Sequence, residues 1–185
     1  DEPYMRHARR KMAEIAGTSL DVEAFYQLVE DRYEDYRRWA LAENKESGDE
    51  ELWRRWLLPD YDPVRISQVC HELSFQYRQA KGRRVLVDGG REVIETLHAR
   101  GYRLGIVSNL IGEHEVPDWL EEDRLDPYFS SVVLSSVCHL RKPGAEIYRI
   151  ALRELGVEPG ECVSVADNIK RDITGAKEAG IGCNV

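Results

Sequence analysis

Residues 162–181 read CVSVADNIKRDITGAKEAGI. The run Cys162–Ala166 is short and apolar, as a buried strand requires, and the segment near 171–179 has the composition and spacing of a helix. Asp167 and Asp172 stand in the turn between them. Two carboxylates gathered at a strand end repel one another at a cost unless a cation compensates. The same texture extends to both sides of this stretch. LGIVS (104–108), SVVLS (131–135) and IGCNV (181–185) are further apolar runs, and helical segments lie near 90–100, 115–125 and 144–155. Unbroken apolar strands alternating with helices fit a parallel sheet covered on both faces, so residues 83–185 are expected to form an α/β, doubly wound parallel sheet.

Upstream the texture is different, and residues 1–82 are expected to be wholly helical. In DVEAFYQLVEDRYEDYRRWALAEN, the residues Val22, Phe25, Leu28, Val29, Tyr36 and Trp39 recur at helical spacing, with Asp21 placed as a cap. SGDE at 47–50 fits a capping box, Asp62-Pro63 an N-cap followed by an N1 proline, and Gly82 a helix stop near Lys81. Seven aromatics, Tyr26, Tyr33, Tyr36, Trp39, Trp53, Trp56 and Tyr61, crowd this part and are expected to form its core. The shift in composition at Gly82 marks the domain boundary.

The chain has 185 residues, 42% of them hydrophobic and 32% charged, enough for a sizeable core without a disordered tract. Its net charge of -8 lacks the basic footprint of a nucleic-acid or anionic-membrane binder. Four cysteines without C-x-x-C spacing read as reduced and structural. No apolar run reaches membrane-spanning length, and DEPYMRHARRKM lacks the apolar segment of a signal peptide, so a cytoplasmic setting is expected.

In open α/β sheets, ligands sit beyond the carboxyl ends of the strands. Three polar signals fall there: Ser108-Asn109 after LGIVS, Lys142 in LRKPGAEIY, and the pair Asp167 and Asp172. Taken singly, each has an ordinary structural explanation as a turn, a solvated lysine or a helix-start acid. On one sheet edge together, a hydroxyl, an ammonium and two carboxylates suit a phosphate with a divalent metal, Mg²⁺ preferring oxygen ligands.

With those residues in view, the sequence resembles the haloacid dehalogenase (HAD) superfamily, whose members are mostly phosphatases. GIVSN is similar to its second motif, RKP to its third and VADNIKRDITGAKEAGI to its fourth, over about residues 84–185. The resemblance implies that Ser108 and Asn109 bind the transferring phosphoryl group, that Lys142 neutralises it, and that Asp167, with Asp172, holds Mg²⁺. It also implies that the helical segment is an inserted cap and that the substrate is a small phosphorylated metabolite. Ala166 departs from the family's usual glycine and should crowd the turn slightly.

The family's nucleophile is an aspartate in a D-x-D motif on the first strand, and no such strand precedes the cap here. The opening DEPYMRHARR is similar to the residues immediately after that motif, so the nucleophile is expected outside this stretch of chain. In the family that strand lies mid-sheet, between those carrying Ser108 and Asp167. Asp88 imitates the motif, but Gly90 stands where the second acid would be, and Asp88-Gly89-Gly90 reads as a turn. His114 and His139 have no spaced partner and are expected in surface or cap roles. Two other readings stand beside the phosphatase: a metal-free 2-haloacid dehalogenase, disfavoured by Asp167, and a non-catalytic binding or scaffold protein that has lost its nucleophile.

Overall fold

The computed structural model describes residues 2–185. Nine α-helices and four strands are assigned among them. They follow the order α1 (Glu2–Ala16), α2 (Val22–Glu43), α3 (Asp49–Glu51), α4 (Pro63–Gln79), α5 (Gly90–Ala99), β1 (Leu104–Ser108), α6 (Glu115–Glu122), β2 (Phe129–Leu134), α7 (Ser135–Cys138), α8 (Ala145–Leu155), β3 (Val163–Ser164), α9 (Thr174–Glu178) and β4 (Cys183–Asn184). Leu52–Leu57 and Ile169–Ile173 are π-helical and lead out of α3 and into α9 respectively. Among the described residues no helix is long and apolar enough to cross a membrane.

The chain divides into two compact units. The first runs through Glu43 and adds Ser47–Val85 and Ile111–Glu115; the second comprises Asn44–Glu46, Leu86–Leu110 and Val116–Val185. In the first unit, Asp21 accepts from the backbone N–H of Glu23 at 2.9 Å and so caps α2. Asp62 accepts from Val64 N–H at 2.9 Å with Pro63 behind it, and Gly82 follows α4 at φ 110°. The expected capping box at 47–50 does not form. Gly48 is the N-cap of α3 without a side-chain bond, and Ser47 N–H donates to Tyr36 Oη instead. Asp49 is drawn inward, where stronger partners wait. The aromatics meet as expected: Tyr36 and Trp53 are buried, Trp39 and Trp56 meet tilted at 35° with centroids 5.0 Å apart, and Trp53 meets Tyr77 edge-on. Burying such rings is what gives an all-helical unit of this size its core.

In the second unit the strands fall where the apolar runs predict, but they pair as two separate parallel ladders. β1 pairs β2 in a register that sets Ser108 against Leu134, and β3 pairs β4 with Ser164 against Asn184. The second ladder is extended by Ala166 N–H to Val185 O at 2.9 Å. Among the described residues no strand joins β1 to β3, so one continuous sheet is not observed. The outer face of β3 is correspondingly open, Val163 and Val165 being exposed. Asp88 and Gly89 form the expected turn, Gly89 at φ 76° starting α5. Ile147, Tyr148, Ala151 and Leu152 of α8 bury their apolar face with Val133, Ala176 and Ile181. All four cysteines are free, and burial pushes the thiols of Cys70, Cys138 and Cys162 upward.

Candidate active site

β1 ends at Ser108, half-buried, and hands the chain to Asn109. Asn109 is locked to the loop after α7 by a reciprocal pair of bonds. Its Nδ2 donates to Lys142 O at 3.0 Å, and its Oδ1 accepts from Lys142 N–H at 2.9 Å. An amide side chain that satisfies both backbone groups of one residue fixes where that residue's side chain points. Lys142 Nζ in turn donates to Val107 O at 3.0 Å and lies 2.6 Å from Asp172 Oδ1. Ser108 therefore sits in the chain between two residues that both touch Lys142.

Asp172 reaches this place because of a glycine. A Cβ at Gly175 would collide with the Pro143 carbonyl oxygen and would stand 2.8 Å from the Tyr148 ring. Only a residue without a side chain lets this turn of helix approach the Lys142-Pro143 loop so closely. Tyr148 Oη donates to Asp172 O at 2.8 Å and holds the same turn from the α8 side. Asn168 caps the π-helical stretch through Arg171 N–H at 2.9 Å.

The two aspartates differ in environment. Asp172 is 1% exposed at its side chain and Asp167 is 92% exposed. Arg171 spans them: one guanidinium nitrogen lies 3.1 Å from Asp167 Oδ1 and 2.9 Å from Asp172 Oδ2. Burial pushes the Asp172 carboxyl upward, but hydrogen bonds and charge from Arg171 and Lys142 outweigh it and hold it below the ordinary carboxylate value. Two cations and two carboxylates thus form a closed, neutral group. Asn109, Lys142 and Asp172 are brought into direct contact, and Asp167 joins them through Arg171. Sequence reasoning passed over Arg171, although its place next to Asp172 and four residues after Asp167 on a helical turn was a usable signal.

The donor set toward a cation is two carboxylates, oxygen-only, which suits Mg²⁺. Both Asp172 oxygens accept bonds already, so Asp167 is the ligand more open to an ion. Arg171, 42% exposed at its side chain, has room to withdraw into solvent.

Residues 15–185 match the family described as Haloacid dehalogenase-like hydrolase. The glyceraldehyde 3-phosphate phosphatase of Pyrococcus abyssi is 30% identical over 89% of this chain, which spans 65% of that relative's length. Among solved structures, the 2-haloacid dehalogenase of Pseudomonas syringae superposes at TM-score 0.64 with 21% identity, over 98% of this chain and 75% of that one. A magnesium-bound HAD-hydrolase of Bacillus subtilis, YfnB, superposes at 0.60 with 21% identity, over 97% and 79%. At such identities the two structures speak for a shared α/β fold.

Proposed function

Because the chain belongs to the haloacid dehalogenase-like hydrolase family, we propose that it carries the supporting half of a Mg²⁺-dependent phosphatase site that hydrolyses a small phosphate monoester. The observation that carries this reading is the 2.6 Å contact between Lys142 and Asp172, with Asn109 fixing Lys142 from the other side. In a phosphatase, Ser108 and Asn109 would bind the phosphoryl oxygens. Lys142 would offset their charge as the P–O bond breaks. Asp167, with Asp172 behind it, would hold the ion. When bound, Mg²⁺ supplies charge compensation between enzyme and phosphate oxygens.

In this reading the nucleophile would be an aspartate outside residues 1–185, which would form an aspartyl-phosphate that water then hydrolyses. The split between the β1–β2 and β3–β4 ladders, with Val163 and Val165 exposed, leaves strand edges that a further parallel strand would pair and cover, which supports this reading. The first unit, all-helical and with a core of its own, is assigned as the cap. A cytoplasmic location agrees with this chemistry.

One observation favours a second reading, a binding or scaffold protein. Arg171 already neutralises the carboxylate pair, so the group is complete without a metal. The assay that separates the two is turnover of p-nitrophenyl phosphate by the protein that carries this chain, with and without EDTA. Mg²⁺-dependent hydrolysis supports the phosphatase. Turnover that resists EDTA rejects the metal role, and no turnover alongside an upstream sequence lacking D-x-D establishes the scaffold.

A further inference from the structure

The first unit holds a group of chemically capable side chains that the phosphatase reading leaves unused. Glu113 and His114 lie in the segment between β1 and α6, and His71 lies on α4. One ligand atom from each of His71, Glu113 and His114 falls within 4.8 Å of the other two. The two imidazole rings meet edge to face, centroids 4.6 Å apart at 85°. We propose that His71, Glu113 and His114 form a binding site for a divalent transition-metal ion of the zinc class.

The hydrogen-bond chain behind His71 runs in only one direction. Trp53 Nε1–H can only donate, and it donates to Ser74 Oγ at 2.8 Å. Ser74 Oγ therefore spends its own proton on Asp49 Oδ1, 2.5 Å away. Asp49 is 1% exposed and accepts on its other oxygen from His71 Nδ1 at 2.6 Å. A buried carboxylate in this position needs a proton donor from the ring, so Nδ1 carries the hydrogen. Nε2 is then the nitrogen with a lone pair, and the ring is oriented as metal-ligating histidines are by a carboxylate partner. His71 is nonetheless 54% exposed at its side chain, so an ion can reach it.

Glu113 is held just as firmly. Its Oε1 accepts from Asp49 N–H at 2.8 Å, and its own N–H donates to Asp49 Oδ2 at 3.3 Å. Asp49 thus positions both a histidine and a carboxylate ligand while binding no ion itself.

Two nitrogens and one oxygen select the class of metal. Imidazole suits Zn²⁺, Co²⁺, Ni²⁺ and Cu²⁺, whereas Mg²⁺ takes oxygen ligands, so this site and the Asp167–Asp172 pair prefer different ions. Three protein ligands leave at least one coordination position for water or an added ligand. Loading would tie the segment Ile111–Glu115 to α4 inside the first unit and stabilise that unit by mass action.

The experiment titrates the protein that carries this chain with Co²⁺, following its visible d–d bands, and then displaces it with Zn²⁺. One Co²⁺ per chain with d–d absorption is expected, displaced by Zn²⁺ and indifferent to excess Mg²⁺. His114→Ala and His71→Gln should each weaken binding by at least about tenfold, Asp49→Asn by about 10–100-fold through lost positioning, and Asp167→Asn not at all. In the unsubstituted chain, paramagnetic Co²⁺ should shift the ring-proton resonances of His71 and His114 but not those of His7, His98 and His139. Unchanged affinity in both histidine variants, competition by Mg²⁺, or shifts at the other histidines would overturn the proposal. The resonance measurement needs no variant, so a substitution that fails to fold leaves the question answerable.

Discussion

If the Lys142–Asp172 contact is a true buried ion pair, its worth is measurable as a coupling energy. The side chains are 11% and 1% exposed, so solvent screens the pair little. Removing one member of such a pair costs about 3–5 kcal/mol, because the other charge stays buried without its partner. Here the survivor keeps some company. After Lys142→Met, Asp172 still accepts from Arg171, and after Asp172→Asn, Lys142 still donates to Val107 O. Each single variant should therefore cost about 3 kcal/mol, the low end of that range. The double variant leaves neither charge stranded and should cost about the same as either single one. The expected coupling is then about 3 kcal/mol in magnitude. The two units make global unfolding a poor probe, so the energies are best read from hydrogen exchange of β1 and α9 amides, which report the second unit. Acid adds an independent check. A carboxyl held below its ordinary value of 3.8 contributes stability in full above that value and loses it as pH falls through the lower folded value. Exchange protection should thus fall in the wild type below about pH 4, and fall less in Asp172→Asn. A coupling under about 0.5 kcal/mol, the limit of additivity for independent sites, would refute the reasoning.

Asp167→Asn should separate function from folding: with the side chain 92% exposed, stability should change by less than about 0.5 kcal/mol while Mg²⁺-dependent turnover disappears. Arg171→Ala should tighten Mg²⁺ binding, read by calorimetry, by about tenfold, the equivalent of one charged hydrogen bond no longer competing; no change would mean that Arg171 does not stand in the ion's place. Gly175→Ala forces a methyl onto the Pro143 carbonyl and the Tyr148 ring and should destabilise the second unit by about 1–3 kcal/mol, measured by exchange of α8 and α9. Trp53→Phe should cost the first unit about 1 kcal/mol or more, since it removes the bond to Ser74 and leaves a smaller ring in a fully buried place; unaltered hydrogen exchange of α2 and α4 amides would contradict that.

Much of this protein is local, and what is local was legible. Strand runs near 104–108 and 131–134 and the helices α2, α4, α5, α6 and α8 follow from periodicity, because burial of one face imposes its repeat on the chain. Caps at Asp21 and Asp62 follow from side chains that reach only two residues along the backbone. Ser108, Asn109 and Asp167 stand just past apolar runs, whereas the roles expected of them and of Lys142 and Asp172 came from the resemblance of the surrounding motifs to a known family. Asp49 shows the limit. By spacing it belongs to a capping box, yet burial beside Ser74 and His71 offers its carboxylate a chain of donors that no local pattern announces.

Partnerships across the chain were settled by packing alone. Spacing cannot tell that Asp172, and not Asp167, would meet Lys142; that comes from Gly175 letting one helical turn settle against Pro143. Nor can it tell that Arg171 would lie between the carboxylates, or that His114, without a partner in sequence, would find His71 edge-on. Residue type and period dictate which face of an element is buried, and so the sequence determines the elements and their chemical groups. Which groups meet depends on strand register and close approach of backbones far apart in the chain, and those exist only once the tertiary structure has formed.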